Sequence, residues 1–217
     1  MKPTRLTALT MSAMLLLPVG VAVAAPTVAA TGAGVVREKP VPWTPHVLDG
    51  RVKDILRVGD VVVVAGDFNR VSDSVRRRTH DRRNLFAFEH GTGRLIEEFD
   101  PDVSGTVNSV VPGPEGSVVI GGAFRVVNGE QSRGLARLSL ADGATVRGFG
   151  ARLDNGATTR LATDGRHVYV GGSFRGINRQ ARVGIARLDA RTGAVDRGFA
   201  PRISAPRRGA PASRSSR

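Results

Sequence analysis

The chain has 217 residues, no cysteine, 5% aromatic residues and a formal net charge of +13. That length allows one or two domains with a real core, and the missing cysteines exclude a disulfide scaffold, a thiolate zinc site and a cysteine nucleophile. The low aromatic content argues against a stacking platform for single-stranded nucleic acid. The charge points to an anionic partner only if it gathers on one folded face.

Residues 1–30 read as an export signal. Lys2 and Arg5 give a short positive start, and an apolar stretch follows from Met14 to Ala25. Ala22-Val23-Ala24 and Val28-Ala29-Ala30 then supply small-residue cleavage sites, so cleavage after Ala24 or after Ala30 fits. The apolar run is shorter than the ~20 residues a bilayer span needs. No span is therefore expected once the signal is removed; an uncleaved anchor is the other reading. Export places the mature chain outside the cell or on its surface. Arginine outnumbers lysine 29 to 3, a bias of GC-rich coding such as that of actinobacteria. Residues 31–42 read as a linker.

Three copies of one unit fill 43–203, with boundaries near 50–103, 104–153 and 154–203. An apolar run ending on Gly and Phe occurs as Val63-Val64-Ala65-Gly66-Asp67-Phe68. It returns as Val119-Ile120-Gly121-Gly122-Ala123-Phe124 and as Tyr169-Val170-Gly171-Gly172-Ser173-Phe174. A short strand follows each time: Leu85-Phe86-Ala87-Phe88, Leu135-Ala136-Arg137-Leu138 and Ile185-Ala186-Arg187-Leu188. Each then meets a glycine turn, and Phe99, Phe149 and Phe199 close the units. The period is 50 residues between these last three, and 56 between Phe68 and Phe124 because of an insertion within 72–84. Residues 124–149 and 174–199 share 12 identities over 26 positions. Upstream, Trp43-Thr44-Pro45-His46-Val47 matches Phe99-Asp100-Pro101-Asp102-Val103, so the repeat opens with the closing strand of an earlier unit.

Each unit predicts four short strands separated by turns, with no sustained 3.6-residue apolar spacing outside the signal. Four strands per 50 residues is the size of a β-propeller blade. The fold class expected is all-β: a propeller-like repeat of three four-stranded blades with a leading strand, incomplete or open.

The order Gly-Gly-x-Phe, Leu-Ala-Arg-Leu, Asp-Gly or Thr-Gly, then Phe resembles the delta-60 repeat family of bacterial exported proteins. The match covers about 43–203. It is weaker in the first unit, where Asp67 replaces the second glycine. The resemblance implies a propeller-like scaffold and brings no catalytic residue with it.

Propellers typically close with 4–8 blades, and three units fall short. Residues 204–217 are low-complexity Arg, Ser, Pro and Ala and read as a disordered tail. Two explanations follow: the front part of a longer propeller cut short, or protomers that associate into a ring. The tail without a strand pattern favours the first.

Candidate chemistry is sparse. His46, His80, His90 and His167 show no metal-ligand spacing. Ser173 stands in a repeat slot that holds Asp67 and Ala123 elsewhere, so it reads as structural. Asp100, Asp102, Glu97 and Glu98 cluster, but no calcium-loop pattern accompanies them. The glycine pairs precede no helix and cradle no phosphate; no catalytic residue, metal or cofactor is predicted. Arg125/Arg175 and Arg137/Arg187 recur with the period and read as blade architecture. The one candidate site is a basic loop for an anionic ligand: Arg76, Arg77, Arg78, Arg82 and Arg83. A solvated insertion is its plain alternative.

Most of the net charge lies outside the units. Setting aside Lys2, Arg5, the four arginines of the tail and the insertion from Arg76 to Arg83 leaves about +3. A nucleic-acid face is therefore not expected. The expected function is a non-enzymatic secreted or cell-surface binding or structural module, with a protein or a cell-envelope glycan as partner. It could equally be a part of a larger protein or a non-functional truncated product. A secreted hydrolase or lyase on a propeller scaffold is the alternative.

Overall fold

A computed structural model describes residues 42–73 and 77–201. The predicted signal, residues 31–41 of the linker, Arg76 and the tail lie outside the described residues.

The described chain is all-β. In order the strands are β1 (His46–Val47), β2 (Arg51–Val58), β3 (Val61–Asp67), β4 (Arg70–Ser72), β5 (Thr79–Asp81) and β6 (Leu85–Glu89). There follow β7 (Val107–Gly113), β8 (Ser117–Gly122), β9 (Val126–Val127), β10 (Glu130–Gln131) and β11 (Leu135–Ser139). The last are β12 (Thr158–Thr163), β13 (His167–Gly172), β14 (Gly176–Ile177), β15 (Gln180–Ala181) and β16 (Ile185–Asp189). Three antiparallel sheets, β2-β3-β6, β7-β8-β11 and β12-β13-β16, are the blades. The fourth strand expected in each has shrunk to a single bridge: Phe88 to Leu95, Leu138 to Thr145, Leu188 to Val195. It shrinks because the chain turns away at once, as at Phe99, whose N–H donates to the Ile96 carbonyl.

After that turn the chain crosses to the next blade. Val103 bridges to Val127 and Leu153 to Ile177, and the leading segment does the same where β1 pairs with β4. The segments 43–47, 99–103 and 149–153 therefore each lie along the blade that follows them. One glycine position enforces this approach. Gly93, Gly143 and Gly193 all have φ near +70°, and a Cβ there would strike Trp43, Pro101 or Ala151.

Burial lies between blades. β3 alternates Val62 and Val64 on one face with Val63 and Ala65 on the other, and all four are buried. Val63, Ala65, Leu85 and Ala87 pack with Val110, Ile120, Ala136, Leu138, Phe99 and Phe124 in one layer. Val119 and Leu135 pack with Leu161, Val170, Ala186, Leu188 and Phe174 in the next. The first sheet's other face is closed by Val47, Phe68, Val71 and Leu95 over Phe86 and Phe88. Among the described residues the arrangement is open: β7 packs beside both β2 and β12, and no comparable packing joins β2 to β12.

The innermost strands are tied at one bulged position. Register shifts occur between Val52 and Asp54, Val107 and Ser109, and Thr158 and Arg160. The Asp54 carboxylate accepts from Ser109 Oγ at 2.8 Å and from Val110 N at 3.0 Å. Ser109 Oγ in turn accepts from Leu161 N at 3.1 Å. The first and second blades thus each present an acceptor to the inner strand of the next.

The repeated aromatics divide into two classes. Phe68, Phe124, Phe174 and Phe99 are buried, whereas Trp43, Phe149 and Phe199 are half-buried. Phe124→Ala is expected to cost about 3–5 kcal/mol and Phe149→Ala clearly less, both read by urea unfolding. Equal losses would contradict this division.

Candidate functional site

The structure engages two residues of the predicted basic loop, Arg82 and Arg83. Arg82 is 7% exposed. Its guanidinium pairs with Asp100 at 3.0 Å and donates to the carbonyls of Asp81 and Glu97. Arg83 pairs with Asp102 at 2.9 Å. Asp100 and Asp102 of the acidic cluster are therefore counter-charges of the insertion. Arg77 and Arg78 remain exposed. Among the described residues no group of three His, Cys, Asp or Glu is placed to hold a metal ion.

The periodic arginines also diverge. Arg137 is 3% exposed and pairs with Glu115 at 3.0 Å. It also donates to Ser117 Oγ at 2.8 Å and, across the blade junction, to the Arg191 carbonyl at 3.1 Å. Glu115 pairs with Arg191 as well, so one carboxylate ties the second blade to a turn of the third. Arg187, the repeat partner of Arg137, pairs instead with Asp196 at 2.5 Å and covers the Phe199 ring. These two are architecture. Arg125 and Arg175 are exposed.

A concave surface lies at the junction of the second and third blades. A cavity of about 440 Å³ opens between β11, the segment around Phe149 and the β14–β15 hairpin, with Gln131, Arg152 and Arg179 on its wall. A second, of about 350 Å³, shares those three residues and adds Arg133 and Asp154. A third, of about 340 Å³, shares Arg133 and adds Arg125 and Asn155. The three adjoin through their shared residues and form one groove.

Hydrogen bonds within the walls fix its shape. Asn178 Oδ1 accepts from Arg152 N at 3.0 Å and its amide donates to the Gly193 carbonyl at 3.2 Å. Asn128 repeats this clamp one unit earlier, accepting from Asp102 N at 2.9 Å. Asp154 Oδ1 accepts from Arg179 N at 3.0 Å, and Arg133 donates to the Asp154 carbonyl at 2.7 Å. Asp154 is the one acidic residue on these walls. The arrangement can receive an anion: several guanidiniums on fixed backbone face an open trough with little opposing charge.

The sequence points to the run of arginines in the insertion, but a run of arginines says nothing of their partners. The groove residues are scattered over 125–179 and meet only through blade stacking. One signal was present: Arg179 breaks the repeat where Gly129 stands in the preceding unit.

The family described as "Domain of unknown function (DUF5122) beta-propeller" matches residues 113–145 and 163–199. No curated protein matches the chain. Similar solved structures include the computationally designed Ika4 protein, 13% identical, with 63% of this chain and 90% of that chain covered and a TM-score of 0.32. Another is the computationally designed Ika8 protein, 14% identical over 66% of this chain and 60% of that one, with a TM-score of 0.27.

The turns that frame the blades carry a pH dependence. The His167 amide and ring, with the Tyr169 hydroxyl, hold the Asp164 carboxyl well below the usual carboxylate range. The Arg137 and Arg191 guanidiniums do the same to Glu115, the Thr192 amide to Asp189 and the Arg187 guanidinium to Asp196. A carboxyl lowered in the folded state stabilises the fold above its unfolded value and loses that contribution as pH falls. The melting temperature is therefore expected to hold between about pH 7 and 5 and to drop below about pH 4. A drop already between pH 7 and 6, measured by calorimetry, would contradict this assignment.

The two matched segments fall in the second and third units, one in each, and that family is described as a β-propeller.

Proposed function

We propose that the chain is an exported, non-enzymatic binding module of the delta-60 repeat type, which holds a cell-envelope ligand in the groove between its second and third blades. The observation that carries this reading is the groove itself, walled by Arg125, Arg133, Arg152 and Arg179 against the single carboxylate of Asp154. Propeller-type scaffolds commonly place binding residues on their connecting segments, and these four stand on such segments. The absence of catalysis is supported by where the reactive groups are spent. Ser173 Oγ accepts from the Ala157 amide, Asp164 and Asp189 cap turns, and Asp54 joins inner strands. Export rests on the charged start, the apolar stretch and the small-residue sites of 1–30.

Two measurements test this. Expressed in a GC-rich Gram-positive host, the chain is expected in the medium or cell wall, with its amino terminus following Ala24 or Ala30. The purified chain is expected to co-sediment with isolated cell walls that retain their anionic polymers. A chain that stays inside the cell, or that remains wholly in the supernatant, overturns the reading.

A further inference from the structure

The geometry points to the Arg152–Arg179 section of the groove as a site for the phosphate or carboxylate group of a linear anionic glycopolymer. This rests on the binding-module reading above and specifies its ligand.

Three independent observations converge. First, Arg152 and Arg179 wall the same two adjoining cavities. Both are exposed, and among the described residues neither guanidinium has a hydrogen-bond or ion-pair partner. Arg82, Arg83, Arg137 and Arg187 are all engaged. Two unspent guanidiniums at one trough are an anion receptor in chemical terms, because each offers paired donors to two oxygens.

Second, Arg179 occupies a backbone position that disfavours it. The turns at Asn128-Gly129 and Asn178-Arg179 join matching two-strand hairpins. Both central residues of each have positive φ: 49° and 78° in the first, 51° and 61° in the second. Asn-Gly is the pair this turn geometry favours, and a side chain at its second position is strained. The second unit obeys the rule and the third breaks it. The backbone bond at this residue runs from its N–H to Asp154, which glycine would make as well. What arginine adds is the guanidinium in the groove, so strain is retained where a side chain serves a ligand.

Third, the row of cavities extends beyond these two arginines through a shared wall residue. Arg133 is shared by the second and third cavities, and Arg125 extends the row. A single small anion would occupy one cavity, whereas a chain bearing regularly spaced charges fills the row. The aromatic residues on these walls, Phe149 and Phe124, are half-buried and buried. They offer no stack of open rings for nucleic-acid bases.

The test uses the purified full chain with defined polymers. Polyglycerol phosphate supplies phosphate, polygalacturonate supplies carboxylate and dextran is the neutral control. Binding by titration calorimetry is expected for at least one of the two anionic polymers, weakening with added salt, and absent for dextran. Arg152→Ala and Arg179→Gly are each expected to weaken it about tenfold. Arg175→Ala removes an exposed charge that lines none of the three cavities and is expected to stay within about twofold of the parent. Arg179→Gly is further expected to hold or raise the melting temperature. Loss of binding in that variant cannot then be assigned to unfolding.

Equal losses in all three variants would reduce the effect to net charge and overturn the assignment. So would unchanged affinity in both groove variants, or tighter binding to single-stranded DNA or polyglutamate than to either glycopolymer. Failure to bind either polymer while cell walls are still bound defeats this inference and leaves the broader reading standing. The phosphate and carboxylate arms separate the two sources of the anion.

Discussion

A propeller blade cannot bury itself. Strand β3 shows the constraint directly, since Val62 and Val64 face one way, Val63 and Ala65 the other, and all are buried. A sheet that is apolar on both faces gains the full ~25 cal/mol per Å² of buried apolar surface only when a neighbour covers each side. The rest of the structure follows from stacking. The closing segments lie on the blade that comes next, the inner strands bulge at one position to share acceptors, and the glycine turns admit the crossing chain. The groove is a consequence too, being the trough left at the outside of a junction where two blades pack together.

Repetition made the architecture legible. The interval of 50 residues, the Gly-Gly-x-Phe landmark and the alternating strands specify sheets of similar size in series, and that is the arrangement observed. Position along the repeat was less informative about burial. Phe99 and Phe149 are equivalent in sequence, yet only Phe99 is buried, because burial depends on what the following blade presents. The fourth strand was overcounted for a related reason. Residues 95–99 have strand composition, but the chain must leave the sheet early to reach its neighbour.

The candidate site was less legible, and arginine is the reason. Its meaning depends wholly on partners contributed from elsewhere in the fold. Within the conspicuous run at Arg76–Arg83, Arg82 and Arg83 are paired with Asp100 and Asp102, fewer than twenty-five residues downstream. The unpaired guanidiniums at Arg152 and Arg179 stand alone in sequence. The net charge of +13 therefore misleads. Its bulk lies in residues 1–30, the insertion and residues 204–217, and little of it lies in the repeats themselves.

The acceptor ladder on the inner strands shows how the same slot changes meaning along the stack. Asp54 and Ser109 each receive the amide of the following blade, Val110 N and Leu161 N. The third blade places Arg160 in that slot, a side chain that donates and cannot accept, and it lies 3.8 Å from Asp54. At the other end, Asp54 Oδ1 accepts from the amide of its own neighbour, Ile55, at 3.1 Å. Valine at 63 and 119 gives way to Tyr169, whose hydroxyl donates to Asp164 and whose ring meets Phe199 edge-on. The far face of the third blade thus satisfies with its own side chains what the first two leave to a neighbour, and its residues Tyr169, Ile185 and Arg187 are half-exposed where their counterparts are buried. In this fold the difference between one blade and the next is written in single side chains at fixed repeat positions, as it is for the glycine and arginine at 129 and 179.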